Sequence, residues 1–291
     1  MNELVVISGK GGTGKTSVVA SFAALAGNAV LADADVDAAD LHLVLAPTVV
    51  RREPFHCGHE AVIRRADCIG CGACLARCRF EAVQRIEAGD ANAFVARARR
   101  ACNDCEVCAR ACPVHAAELV EAMVAAGGVV DEPVFMIDPT ALNPGGENSG
   151  KLVSKVRETA RQVAAERRRE LILVDGPPGV GCPVIASLTG ASQVLIVTEP
   201  TLSGAHDLRR VMELAAHFRI PAAVCVNKWD LNPDMTARIE AETQAAGGVV
   251  AGRIRYDRSV TAAQVAGQAV VEMTGAPAAA DIAEVWARVK P

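Results

Sequence analysis

The sequence predicts an α/β protein: a mostly parallel sheet flanked by helices, interrupted by an inserted α+β module. Three observations lead there. Short runs rich in Val, Ile and Leu, at Leu4 to Ile7, Ala29 to Ala32, Leu171 to Val174, Val194 to Val197 and Ala222 to Val226, alternate with helical stretches. That is the pattern of strands buried on both faces and joined by crossover helices. Each run stops at polar residues: Ser8-Gly9-Lys10, Asp33 and Asp35, Asp175, Thr198-Glu199, and Asn227-Lys228. Ligands of open α/β sheets bind beyond the carboxyl ends of the strands, so five such ends converge on one crevice. Between about Glu53 and Glu118 the pattern breaks, strand-like runs shorten, and nine of the eleven cysteines appear. The parallel-sheet pattern resumes after roughly Gly128.

A chain of 291 residues has room for a full core and an insertion. With 51% hydrophobic residues, 22% charged and a net charge of −4, it is neither disordered nor collagenous, nor a strongly basic protein that coats nucleic acid. Met1-Asn2-Glu3 leads straight into the first apolar run, which predicts no secretory leader and a cytoplasmic protein. No run of about 18 apolar residues is present to cross a membrane. The Ala-rich stretch from Gly275 to Pro291 reads as a final helix, too weakly basic to lie on a membrane surface. Neither nucleic acid nor membrane is therefore an expected partner. In a reducing compartment, cysteines clustered at short spacing are metal ligands more readily than disulfides.

The first strand runs into Gly9-Lys10-Gly11-Gly12-Thr13-Gly14-Lys15-Thr16, which satisfies GxxxxGK[ST] and leads into a helix from near Ser17. This is a P-loop. Its glycines let the amides of Gly11, Gly12, Thr13, Gly14, Lys15, Thr16 and Ser17 turn toward phosphate oxygens, and the helix N-terminus adds favourable partial charge. Lys15 is expected to reach the β and γ phosphates and Thr16 to ligate magnesium.

The cysteines form two repeated runs, Cys68-x2-Cys71-x2-Cys74-x3-Cys78 and Cys102-x2-Cys105-x2-Cys108-x3-Cys112-Pro113. Both fit the bacterial ferredoxin pattern, in which three cysteines wrap one 4Fe-4S cube and the fourth of each run ligates the other cube. The expected sets are Cys68, Cys71, Cys74 and Cys112 for one cluster, and Cys102, Cys105, Cys108 and Cys78 for the other. Zinc sites use separated ligand pairs, not two complete runs of four. Arg79-Phe80 follows Cys78 where many bacterial ferredoxins place proline. The inserted module is placed at 57–117, with nine Arg against seven acidic residues and no Lys, and the flanking domain at 1–56 and 118–291. Cys57 reads as a loop cysteine, Cys225 as packing, and Cys182 as structural beside a mobile loop. The six histidines offer no nucleophile–base pair.

Lys10 makes the glycine loop unusual. KGGTGKT resembles the deviant P-loop of the MinD, Mrp and nitrogenase-iron-protein family of dimeric ATPases, over about 230 residues outside the insert. The resemblance implies ATP as ligand and a dimer sandwiching two nucleotides, with Lys10 reaching the nucleotide of the partner subunit. It implies a catalytic set of Lys10, Lys15, Asp35 and Asp175. Asp35 resembles the switch I aspartate that orients water, with Asp33 and Asp37 as rivals for the role. Asp175-Gly176-Pro177-Pro178-Gly179 resembles a Walker B carboxylate running into switch II, and Asn227 the residue that hydrogen-bonds adenine.

Asp175-Gly-Pro-Pro-Gly-Val-Gly-Cys182-Pro183, Thr198-Glu-Pro-Thr-Leu-Ser203 and Glu147-Asn-Ser-Gly-Lys151-Leu-Val153 resemble the MinD-superfamily members that contain an inserted ferredoxin domain. Such chains are often labelled by remote similarity to cobyrinic acid a,c-diamide synthase. What the resemblance implies is ATP hydrolysis that switches a dimer and gates electron transfer through two 4Fe-4S clusters. The second subunit is expected to be another copy or a similar ATPase, and the partner a redox or metal-cofactor-binding protein. The alternative is an iron-sulfur or metal-cofactor carrier or assembly ATPase. Four-cysteine ligation and the lack of cysteine after Cys225 argue against it.

Overall fold

The structure is a computed structural model that describes residues 1–36, 38–45, 49–85, 94–96, 102, 105–130, 134–138 and 149–291. The chain forms two units. The first comprises Met1–Glu53, Gly127–Thr140 and Ser149–Pro291, and the second Pro54–Ala126 and Ala141–Asn148.

The sheet of the first unit runs in the order β11-β10-β9-β1-β8-β2-β7. Its members are β1 (Asn2–Ser8), β2 (Ala29–Asp33), β7 (Val134–Asp138), β8 (Leu171–Pro178), β9 (Gln193–Thr198), β10 (Ala222–Asn227) and β11 (Val249–Ile254). Every neighbouring pair among them is parallel. Leu4, Val5, Val6 and Ile7 have no exposed surface, nor do Ile172 to Val174 and Val194 to Val197. Burial on both faces is why these strands appear as unbroken apolar runs.

β11 escapes that signature because Gly252 splits its apolar run and the ladder to β10 shifts register there. β6 (Ala117–Val130) and β3 (Val49–Ile63) are strands of 14 and 15 residues. This differs from the shortened strands expected after Glu53. Arg51-Arg52-Glu53-Pro54 gives no continuous apolar run, so strand length was hidden from the pattern.

Helices cover the sheet through apolar stripes at helical spacing. In α10 (Pro277–Val289), Ala278, Ile282, Val285 and Val289 are buried, and Trp286 lies 4.9 Å from Phe22 of α1 (Lys15–Ala26), ring centre to ring centre. In α5 (Ser149–Glu166), Val153, Val156, Ala160 and Ala164 are buried. Arg157 sits in that stripe and is compensated by Glu3 of β1, Nε to Oε1 at 2.5 Å. No helix among the described residues is long and apolar enough to cross a membrane.

The second unit carries the cysteine runs on duplicated backbone. Helix α3 (Ala73–Arg77) follows Gly72 at φ 73°, and α4 (Val107–Ala111) follows Glu106 at φ 61°. Glu81 and His115, each three residues beyond the last cysteine of its run, are also left-handed, at φ 54° and 52°. Val83 and Ala117, at equivalent positions, join Ile63 and Cys74 in a small core against which Cys68, Cys78, Cys108 and Cys112 pack. Arg64 fastens the unit by donating to Asp67, Glu118 and the His115 carbonyl.

Candidate functional site

The glycine loop lies between β1 and α1, whose first residue is Lys15. Gly14 adopts φ 90°, and a Cβ there would come within 2.5 Å of Asn227 Nδ2. Only glycine fits both demands. Asn227 closes over the loop: Nδ2 donates to the Thr13 carbonyl at 2.8 Å and Oδ1 accepts from Lys228 N. The residue expected at adenine thus spends one of its two amide N–H donors on the loop backbone.

Beneath the loop three carboxylates gather, and Lys15 pairs with one of them. Asp33 and Asp175 end their runs side by side on the parallel strands β2 and β8. Asp35 lies one residue beyond β2's next neighbour, and its Oδ2 takes the Lys15 ammonium at 3.3 Å, both side chains buried. Asp33, with no exposed surface, accepts from the amides of Asp35 and Leu41 and so ties down the segment after β2. Burial, then the nearby Asp175 carboxylate, pushes Asp33 well above the usual carboxylate range. Asp175 is raised to about 6, burial outweighing the pull of Lys15 and the Thr16 hydroxyl. Apart from that Thr16 hydroxyl, neither Asp175 oxygen has a hydrogen-bond partner among the described residues.

A buried carboxylate with unspent lone pairs, amid a local excess of negative charge, fits a hydrated divalent cation. The residues present therefore suit magnesium beside Thr16. A cavity of about 750 Å³ opens here, lined among others by Gly12, Lys15, Thr16, Asp35, Leu43 and Gln264. That volume is in the range of small-ligand sites. Gln264 donates to Ser17 at 2.9 Å, a contact no sequence motif announces.

Lys10 lies at the loop's outer edge, its ammonium 2.9 Å from Glu199 Oε2, while Lys228 holds Oε1 of the same carboxylate at 2.5 Å. The sequence assigns Glu199 no role: it appears there only at a strand end and within the Thr198–Ser203 stretch. Of the switch I candidates, Asp37 lies outside the described residues.

In the second unit, Cys74 and Cys108 hold equivalent places, and burial raises both thiols. Cys68 and Cys71 lie near enough to influence Cys74, as Cys102 and Cys105 do Cys108. Cys112 differs. Burial pushes its thiol up, but the amides of Ala117, Val114, Ala116 and His115 outweigh it and lower the pKa; Ala116 N donates to its sulfur at 3.2 Å. Such donors favour the thiolate that binds iron. Sulfurs on duplicated turns with amides aimed at one of them fit iron-sulfur ligation. Cys182 is exposed and Cys225 buried, while the side chain of Cys57 lies outside the described residues.

Residues 61–119 match the family model described as 4Fe-4S dicluster domain. The uncharacterized protein MJ0578 of Methanocaldococcus jannaschii is 31% identical over 241 residues, covering 79% of each chain. The MinD cell division ATPase of Pyrococcus furiosus covers 99% of this chain and 98% of its own, with 17% identity and a TM-score of 0.58. The chain belongs to the family of MJ0578, with a MinD-like fold and a 4Fe-4S dicluster domain. The septum site-determining protein MinD of Pyrococcus horikoshii, solved with Mg-ADP, is similarly close in fold, with 16% identity, coverage of 99% and 96%, and a TM-score of 0.58. This MinD-like protein therefore joins a P-loop sheet and a ferredoxin module in one polypeptide.

Proposed function

We propose that this protein binds and hydrolyses ATP with magnesium, and that the nucleotide cycle switches a dimer whose two 4Fe-4S clusters per chain pass electrons to a partner protein. The observation that carries the reading is one chain holding both a buried Lys15–Asp35–Asp175 charge site at a P-loop and a duplicated four-cysteine turn.

Lys15 draws charge off the β and γ phosphates, and the loop amides from Gly11 to Ser17 cradle them. Asp35, released from Lys15 when phosphate takes that ammonium, orients the attacking water. Thr16 and Asp175 would hold magnesium, which when bound supplies positive charge beside the phosphates. Lys10 completes the site of the second subunit, which is another copy or a similar ATPase. Gly176 to Gly179, following Asp175, respond to loss of the γ phosphate.

We assign Cys68, Cys71, Cys74 and Cys112 to one cluster and Cys102, Cys105, Cys108 and Cys78 to the other, within an insert placed at 57–117. The clusters supply one-electron chemistry at potentials that burial and hydrogen bonding set. The partner is a redox or metal-cofactor-binding protein, and the setting is the cytoplasm.

Anaerobic purification with iron and sulfide analysis, then EPR of the reduced protein with and without Mg-ATP, tests the reading. About eight irons per chain and spectra that respond to ATP are expected. The Lys15→Ala protein should keep its iron and lose hydrolysis. Normal hydrolysis by that variant, or an iron-free active protein, would overturn the proposal.

A further inference from the structure

Glu199 stands immediately beyond β9 and Lys228 immediately beyond β10, and the two strands are parallel neighbours in register up to Thr198 and Val226. β9 also neighbours β1, whose end feeds the glycine loop. Strand order alone therefore delivers Glu199 between two lysines. Its side chain is 15% exposed, with Lys228 on one oxygen and Lys10 on the other.

We infer that Glu199 is a positioning residue for Lys10, holding its ammonium within its own subunit in competition with the nucleotide of a second subunit, and that Lys228 keeps this hold weak enough to release. The inference rests on the dimer reading above and adds to it what Lys10 does before the dimer forms.

The argument is one of charge. Withdrawing one partner from a mostly buried ion pair is costly because a charge is left uncompensated. Here Lys10 can leave without that cost, since Lys228 stays on Glu199. The ammonium of Lys10, its side chain 34% exposed, loses only a partly solvated pair, of the weak kind that surface pairs represent. A phosphate-bearing nucleotide presented by a second subunit offers more charge than one shared carboxylate. Lys228 thus sets the strength of the hold: without it, Lys10 would be the sole cation on Glu199 and harder to withdraw.

Opposite effects from neighbouring substitutions follow, which a merely structural ion cluster does not give. The experiment follows dimer formation by light scattering of the anaerobically purified protein, titrated with the magnesium complex of the non-hydrolysable ATP analogue AMP-PNP. Glu199→Gln should lower the concentration at half-dimerisation by roughly two- to fivefold, the scale of a weak ion pair. Lys228→Met should raise it, and the double variant should follow Glu199→Gln. Thermal unfolding of each variant checks that it is folded. Single-variant shifts in the same direction, or no shift in either, would sink the inference while leaving the dimer reading intact. A wild-type protein that stays monomeric at saturating Mg-AMP-PNP overturns the dimer reading and, with it, the role of Glu199 in holding Lys10.

Discussion

Cys78 and Cys112 end their helices in the same backbone conformation, at φ −76° and ψ 106° for the first and φ −76° and ψ 112° for the second. The residue after Cys78 is arginine and the residue after Cys112 is proline, yet both paths reach a left-handed residue three positions past the cysteine. Proline is therefore not what shapes this turn.

Replacing Arg79 by proline should follow from that equivalence without strain. Cys78 already has the extended ψ that a following proline requires. The expected outcome is unchanged iron content and a gain in stability of about 0.4–1 kcal/mol from a stiffer unfolded chain, measured by denaturant unfolding of the iron-loaded protein. Loss of iron would show that the two turns are not interchangeable.

Removing single cysteines should separate ligands from bystanders. Cys112→Ser takes away a sulfur that backbone amides make acidic and should cost about half of the roughly eight irons expected of two cubes. Cys182→Ser, at an exposed thiol in the other unit, should cost none. Iron and sulfide assays on anaerobic samples decide between these outcomes.

Glu3 and Arg157 should dominate the polar contribution to the stability of the first unit. Glu3→Gln leaves a guanidinium that is 3% exposed facing a neutral amide, although Arg157 Nη1 keeps its bonds to the Ala186 and Thr189 carbonyls. A loss of about 3–5 kcal/mol is expected from an uncompensated buried charge. Arg161→Gln, at a partner of Glu3 that is 41% exposed, should cost no more than about 1 kcal/mol. Urea midpoints of the two variants test the difference.

Acid should loosen the Glu199 cluster. Burial raises the carboxyl, but Lys228 and Lys10 outweigh it and hold Glu199 below its ordinary value of 4.5. A carboxyl whose folded pKa is depressed stabilises the fold above the unfolded pKa, and that stabilisation disappears as pH falls through the folded one. The stability gap between wild type and Glu199→Gln should be widest near neutrality and close steadily below about pH 4.5. A gap that stays constant down to pH 3 would show that the two lysines do not act through the carboxylate.

The elements readable in the sequence are those whose physics is local. β1, β2, β8, β9 and β10 announce themselves because burial on both faces demands unbroken apolar residues, and the glycine loop because phosphate binding demands glycine at fixed spacing. The cysteine repeat is legible for the same reason. β3 and β6 carry polar residues among apolar ones, and β11 is split by Gly252, so their strand character depends on pairing that no local pattern records. The left-handed positions at Glu81, Glu106 and His115 are equally silent, since none is glycine. Lys10 and Glu199 are each visible as polar residues at strand ends. Their ion pair is not, because only the strand order β1-β9-β10 brings them together.

β8 is the strand between β1 and β2, yet it lies in the chain after both cysteine runs. A ribosome therefore delivers every proposed iron ligand before it delivers Asp175 and the middle of the sheet. With roughly 60 residues between Cys112 and Asp175, and about 5–20 residues added per second, the interval is roughly 3 to 12 seconds. On the function proposed above, metallation of the nascent insert would have that head start over the nucleotide pocket.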